Sequence, residues 1–261
     1  MVVFFDIDGT LVDDATQVIP RSTIEAVEAL AAGGHIPVIN TGRPYTHIDP
    51  RVRAMAFRGY VCGCGMEIRY DDRWLARRTP EQEVCSLVVQ QARRYGVLPM
   101  FEATDGTACY DPALLGHPTQ LRELENARKR GFPVCSIDEH PNFSKFASWC
   151  PREDDALAFR RAVEPYFDYI PRGSEGFSEF TLKGCSKAAG MLELLETLGI
   201  SRSETLAIGD STNDMPMFQT AAHTVCMGNG LPEVKQAVQY ITASVLEDGI
   251  ARALRHFGLI E

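Results

Sequence analysis

Several features that would announce a function at once are missing from this 261-residue chain. It has no run of basic residues, and 26 Lys and Arg against 35 Asp and Glu leave a formal charge of -9. A field of that sign repels nucleic acid and anionic membrane surfaces, and no aromatic-basic interleaving offers a stacking platform for bases. The expected partners therefore include neither nucleic acid nor membrane. The apolar run at the N-terminus is too short for a membrane span, and it lacks a basic leader, since the first Arg is Arg21. A cytoplasmic location is expected. No C-x-x-C occurs among the eight cysteines, and no two of the six histidines stand at ligand spacing. That excludes the common zinc patterns and leaves the cysteines as reduced, mostly buried thiols. There is no G-x-x-x-x-G-K-[ST], and "GCGMEI" breaks the dinucleotide fingerprint where a third Gly is required. Internal repeats and low-complexity segments are absent as well. The oligomeric state is not legible.

What the sequence does contain is an alternation of strand-like apolar runs with amphipathic segments, the pattern of a parallel sheet covered by helices on both faces. After Val2 to Phe5, the stretch Ser22-Thr-Ile-Glu25 reads as a capping box. Ile24, Val27, Leu30 and Ala31 then make one helix face that ends at Gly33-Gly34. "HIPVIN" and "YVCGCG" follow as strands, and "EIRYDDRWLA" as a hairpin turning at Asp71-Asp72. From about 82 to 182 the texture becomes a mixed α/β block, after which "ETLAIGD", "HTVCMG" and "YITA" resume the first pattern. The expected fold is α/β: a doubly wound, Rossmann-like parallel-sheet core of residues 1–81 and 183–261, with an inserted α/β domain at 82–182. Aromatic residues of the insert, among them Tyr95, Phe101, Tyr110 and Trp149, fit its own core.

The chemistry gathers where strands end. Asp6 and Asp8 close the first apolar strand, and residues two apart in an extended segment project to one side. Two carboxylates so close repel each other unless a cation lies between them or one keeps its proton. A hard cation such as Mg²⁺ takes oxygen ligands, an ionised Asp beside it can attack phosphorus, and a second carboxyl can protonate the leaving oxygen. Asp210 ends another apolar strand in "AIGDSTNDMPM", with Asn213 and Asp214 following where a helix should begin. Thr41 and Gly42 end a third strand and offer a hydroxyl and backbone N–H groups to phosphate oxygens. Lys187, opening the helix after the insert, adds a positive charge. Each of these features has a bland reading alone, such as an ordinary Asp-Gly turn or a solvated helix lysine. Their order along the chain is what argues for phosphoryl transfer.

Together these residues resemble the haloacid dehalogenase-like superfamily of aspartate-nucleophile phosphatases, in its Cof-type branch. Asp6-Ile-Asp8-Gly-Thr10 is similar to the first motif, Asn40-Thr41-Gly42-Arg43 to the second, Lys187 to the third, and Gly209-Asp210-Ser-Thr-Asn213-Asp214 to the fourth. "MGNG" at 227–230, Lys235 and "EDGIA" at 247–251 resemble the branch's C-terminal signature. The resemblance implies Asp6 as nucleophile and Mg²⁺ ligand, and Asp8 as general acid, then base, with its backbone carbonyl on the metal. It implies Asp210 as a further ligand with Asp214 in support, Thr41, Gly42, Arg43 and Lys187 around the phosphoryl group, and Asn213 orienting it. It also implies that 82–182 is the cap that selects the leaving group. This chain has Cys64-Gly65 where the family commonly shows Asn-Gly, and Lys187-Ala188 where Lys-Gly is frequent. The expected activity is Mg²⁺-dependent hydrolysis of a small phosphorylated metabolite through an aspartyl-phosphate. A phosphomutase or phosphotransferase using the same aspartate, and a non-catalytic metabolite-binding protein, are the alternatives.

Overall fold

The computed structural model describes residues 1–171 and 177–261. Residues 172–176, which fall within the block expected at 82–182, lie outside the described residues. The chain begins with β1 (Val2–Phe5), α1 (Arg21–Ala32), β2 (Ile36–Asn40), α2 (Pro50–Arg53), β3 (Gly59–Cys62), β4 (Glu67–Tyr70) and β5 (Arg73–Arg77). Then come α3 (Gln82–Tyr95), β6 (Leu98–Glu102), β7 (Ala108–Tyr110), α4 (Pro118–Lys129), β8 (Val134–Ser136), β9 (Lys145–Trp149), α5 (Glu153–Val163), β10 (Phe167–Pro171) and β11 (Phe177–Leu182). It ends with α6 (Lys187–Leu198), β12 (Thr205–Gly209), α7 (Met215–Thr220), β13 (His223–Cys226), α8 (Pro232–Lys235), β14 (Tyr240–Ile241) and α9 (Gly249–His256). These elements form two compact units.

The first unit comprises Met1–Arg43, Ile48–Ala76 and Ser186–Glu261. Its eight-stranded sheet runs β14-β13-β12-β1-β2-β3-β4-β5, parallel from β14 to β3 and antiparallel at β3–β4. β1 is fully buried along its length, which is why it reads as an unbroken apolar run: a central parallel strand is covered on both faces. From β1 the chain winds outward through β2 and β3, and later outward on the other side through β12, β13 and β14. The carboxyl ends of β1 and β12 therefore meet at the point where strand order reverses, where ligands bind in open α/β sheets.

Two local expectations meet different outcomes. Asp71 (φ 42°) and Asp72 (φ 63°) form the two-residue hairpin turn between β4 and β5, both in the left-handed region that such a turn requires. The capping box at Ser22 does not form: α1 starts two residues earlier, at Arg21 with Pro20 as N-cap, without a side-chain cap. Glu25 accepts from Arg21 Nε at 2.7 Å, so it does not reach back to Ser22, and the fixed φ of Pro20 sets the entry instead.

The second unit comprises Arg77–Cys185 together with Pro44–His47. Its six-stranded sheet has the order β10-β11-β9-β6-β7-β8, antiparallel except for β7–β8. α3 and α5 lay Val88, Ala92, Phe159 and Val163 against Phe101, Phe146 and Phe180 of the strands. The rings of Phe146 and Phe180 stack at 4.6 Å. Residues 44–47 join this unit because His47 Nε2 donates to Gly106 O at 2.8 Å and its ring stacks on Phe132 at 3.8 Å. Contacts at such sequence distance leave no local signature, and the expected limits of 82 and 182 did not include them. All eight cysteines are free thiols, seven of them buried. Among the described residues no helix is long and apolar enough to cross a membrane.

Candidate active site

β1 delivers Asp6 one residue past its last rung, and Asp6 N still donates to Ile208 O of β12 at 3.0 Å. The chain then folds back, with Leu11 N and Val12 N both donating to Ile7 O at 2.9 Å. Gly9 makes that reversal at φ +69°, and a side-chain carbon there would overlap the Asp210 carboxylate. Thr10 Oγ1 donates to Asp210 Oδ1 at 3.0 Å. The Asp-x-Asp-Gly-Thr sequence is therefore shaped around a partner 200 residues away.

Beyond β12, the Asp214 carboxylate lies against Gly209 where a side chain would otherwise stand. Its Oδ2 accepts from Asp210 N at 2.9 Å and from Ser211 N at 3.1 Å. Lys187 is the first residue of α6, whose N-cap Ser186 accepts from Ala189 N. Asn40 at the end of β2 pins that first turn by donating from Nδ2 to Lys187 O at 3.0 Å. The fully buried Lys187 Nζ then lies 2.8 Å from Asp6 Oδ1 and 2.6 Å from Asp214 Oδ1.

Oxygens of Asp6, Asp210 and Asp214 all fall within 4.8 Å of one another. Three carboxylates and one ammonium leave two negative charges in a site that is largely out of water. Burial, and next the Asp214 charge, push Asp6 well above the ordinary carboxylate range against the pull of Lys187. Burial and Asp214 likewise push Asp210 up to about 7. Burial alone would lower Lys187, but Asp214 and Asp6 outweigh it and push the ammonium above its usual range, so it stays charged. An uncompensated pair of negative charges with oxygen donors is the setting a hard divalent cation fits. Asp214 is the least available of the three acids, since Lys187 and two backbone N–H groups already occupy both its oxygens.

Asp8 is placed differently. Arg43 holds it in a fork, Nε to Oδ2 at 2.7 Å and the second guanidinium nitrogen to Oδ1, and the Asp8 side chain is 38% exposed against 5% for Asp6. Arg43 also feels the charges of Asp6 and Asp14. Thr41 is buried, its Oγ1 accepts from Arg43 N at 3.2 Å, and its carbonyl accepts from Cys64 N at 3.1 Å. Gly42 is half-buried beside it. Asn213 is half-buried and accepts from Ser211 Oγ at 2.7 Å. Of the residues singled out in the sequence, Asp6, Lys187, Asp210 and Asp214 thus meet at one point, and Asp8 pairs with Arg43. Thr10, Ser211 and Asn229, which fasten these loops, stood within the quoted motifs but were given no role from sequence.

The sequence matches the model of the haloacid dehalogenase-like hydrolases over residues 3–254. The chain belongs to this family. This haloacid dehalogenase-like hydrolase is 28% identical over 264 residues to YkrA of Bacillus subtilis, covering 100% of this chain and 98% of that one. It is 26% identical over 267 residues to the 5-amino-6-(5-phospho-D-ribitylamino)uracil phosphatase YitU of Bacillus subtilis, covering 98% and 97%. Among solved structures, the subclass IIB sugar phosphatase BT4131 superposes with a TM-score of 0.79 at 30% identity, covering 99% of both chains. The enzyme class is that of a phosphatase.

Proposed function

We propose that the protein is a Mg²⁺-dependent phosphatase that hydrolyses a small phosphorylated metabolite through an aspartyl-phosphate on Asp6. The observation that carries this reading is the charge balance of the buried cluster: Asp6, Asp210 and Asp214 against Lys187 alone. Asp6 and Asp210 would hold the ion, with the Asp8 carbonyl; Asp214 would chiefly position Lys187 and the Asp210 backbone. When bound, Mg²⁺ neutralises charge on the nucleophile and the phosphoryl oxygens, so that the two can approach.

In this reading Lys187 fixes Asp6 Oδ1, which leaves Oδ2 to form the bond to phosphorus as the bond to the leaving oxygen breaks. Asp8 gives its proton to that oxygen, then takes one from the water that cleaves the acyl-phosphate and releases inorganic phosphate. The Arg43 fork occupies both oxygens of Asp8. Its donation in the first step requires the guanidinium to leave, and the phosphoryl group is the anion to which it would move. Thr41 and Gly42 supply a hydroxyl and an N–H on the same loop, with Asn213 on the opposite one. The inserted unit would act as the cap that selects the leaving group. The names of YitU and BT4131 support a small phosphorylated substrate.

The test is phosphate release over a panel of phosphorylated metabolites, with Mg²⁺ and with EDTA, beside Asp6→Asn. Release that needs Mg²⁺ and disappears in Asp6→Asn is expected. A variant that still releases phosphate at the wild-type rate refutes the nucleophile assignment.

A further inference from the structure

The turn Met227–Leu231 has no part in the chemistry above, yet it is bonded to both loops that carry the acids. Met227 N donates to Gly209 O and Leu231 N to Asp210 O, each at 2.9 Å. Gly230 packs so closely that a side-chain carbon would lie 2.8 Å from Asp210 O. On the other side, Asn229 Nδ2 donates to Gly9 O at 2.7 Å, while its Oδ1 accepts from Val245 N at 3.1 Å. Lys235 Nζ donates to Gly228 O and braces the turn from α8. Asn229 is an exposed residue, so it gains little from packing. Its amide nevertheless bridges two backbone groups from distant parts of the chain. Such a bridge is satisfied only when the Gly9 peptide and the Val245 amide keep one separation.

We propose that Asn229 is a positioning residue for the metal site. It fixes the carbonyl of Gly9, and through the Gly9–Thr10 peptide the hydroxyl that binds Asp210, so the turn Met227–Leu231 clasps the Asp6 and Asp210 loops at the spacing one ion needs. This rests on the Mg²⁺ reading above and adds the group that sets the site's width. Groups behind the ligands that orient them typically change metal affinity about 10- to 100-fold when removed.

The experiment is calorimetric titration of the full chain with magnesium chloride, for wild type, Asn229→Ala, Thr10→Ala, the double variant and Asp210→Asn, with metal-free unfolding measured alongside. Asn229→Ala should weaken Mg²⁺ binding about tenfold while the metal-free midpoint stays near that of wild type. Since Asn229 and Thr10 act on one peptide, the double variant should lose less than the product of the single losses. Asn229→Gln, which displaces the amide by one methylene, carries the same test should the alanine variant not fold. Wild-type affinity in Asn229→Ala with binding lost in Asp210→Asn overturns the clasp alone. So does full additivity in the double variant, or a loss of affinity that only tracks a fall in metal-free stability. Absence of Mg²⁺ binding in the wild type overturns the Mg²⁺ reading and the clasp together.

Discussion

Replacing Asp210 by Asn tests the charge balance of the site directly. Asp210 is pushed from 3.8 to about 7 by burial and by Asp214, a shift of about three units, or about 4 kcal/mol between its two protonation states. The folded-state value lies above the unfolded one, so the stability linked to this group is fully present below about pH 4 and lost as the pH rises through about 7. At pH 8 the metal-free protein therefore carries an ionised Asp210 at a cost approaching that 4 kcal/mol. Asn removes the charge and keeps an oxygen for Thr10 Oγ1, which donates to Oδ1 at 3.0 Å. In EDTA at pH 8, Asp210→Asn should unfold on the order of 10 °C above the wild type, at 2–4 °C per kcal/mol for a chain of this size. The gap should close toward pH 4. Adding Mg²⁺ should narrow the gap, because the wild type gains about 2.7 kcal/mol at a hundred times the dissociation constant and about 4.1 kcal/mol at a thousand times, where the gap closes, while the variant gains almost nothing. Thermal unfolding across this pH range, with Mg²⁺ and with EDTA, is the assay. A metal-free variant no more stable than the wild type at pH 8, or one that still responds fully to Mg²⁺, refutes the reasoning.

Asp8→Asn should lower turnover by about 10²- to 10⁴-fold, least for esters with a good leaving group such as p-nitrophenol; equal losses across leaving groups would exclude Asp8 as the proton donor. Gly190→Ala should displace α6, since a side-chain carbon there overlaps the Val61 side chain and comes 2.8 Å from Gly65 Cα. That overpacking should destabilise by about 1–3 kcal/mol and lower kcat by moving Lys187 off Asp6. Unfolding midpoints and phosphate release would show both, and a neutral outcome would mean that the close approach does not set the lysine's position.

The core fold was legible because its signals are local or periodic: a doubly buried strand has no polar face to hide, and β1 reads as uninterrupted apolar sequence. The residues of the site were legible for a related reason, since acids at the dry end of a strand have few structural uses. Which acid pairs with which cation was not. Arg43 was expected at the phosphoryl group, and its guanidinium lies on Asp8; both loops end neighbouring strands, and only the assembled sheet sets their distance. Asp214 was expected in support of the metal; it lies in the acid cluster with Asp6 and Asp210, and its oxygens also accept from Lys187, Asp210 N and Ser211 N. Cys64, at the position where the family resemblance led one to expect Asn, sits at φ 56°. Asn tolerates that left-handed conformation better than most residues, which gives the family's preference a conformational cause.

The two aspartates of the first motif are separated by one residue and live in different surroundings, and the proposed mechanism assigns that difference a division of labour. Asp6 is buried against the charged Lys187, which lies 2.8 Å from its Oδ1; in the proposed mechanism this leaves Oδ2 for attack on phosphorus. Asp8 is partly exposed and paired with an arginine, a cation with a rigid fork that an incoming phosphoryl group can compete for. If the lysine and the arginine changed places, Asp6 would lie in a fork that occupies both its oxygens, and Asp8 would be locked against a buried ammonium. On the proposed mechanism, a fixed ammonium at Asp6 and a guanidinium with an alternative anion at Asp8 would let one short motif serve both as nucleophile and as proton carrier.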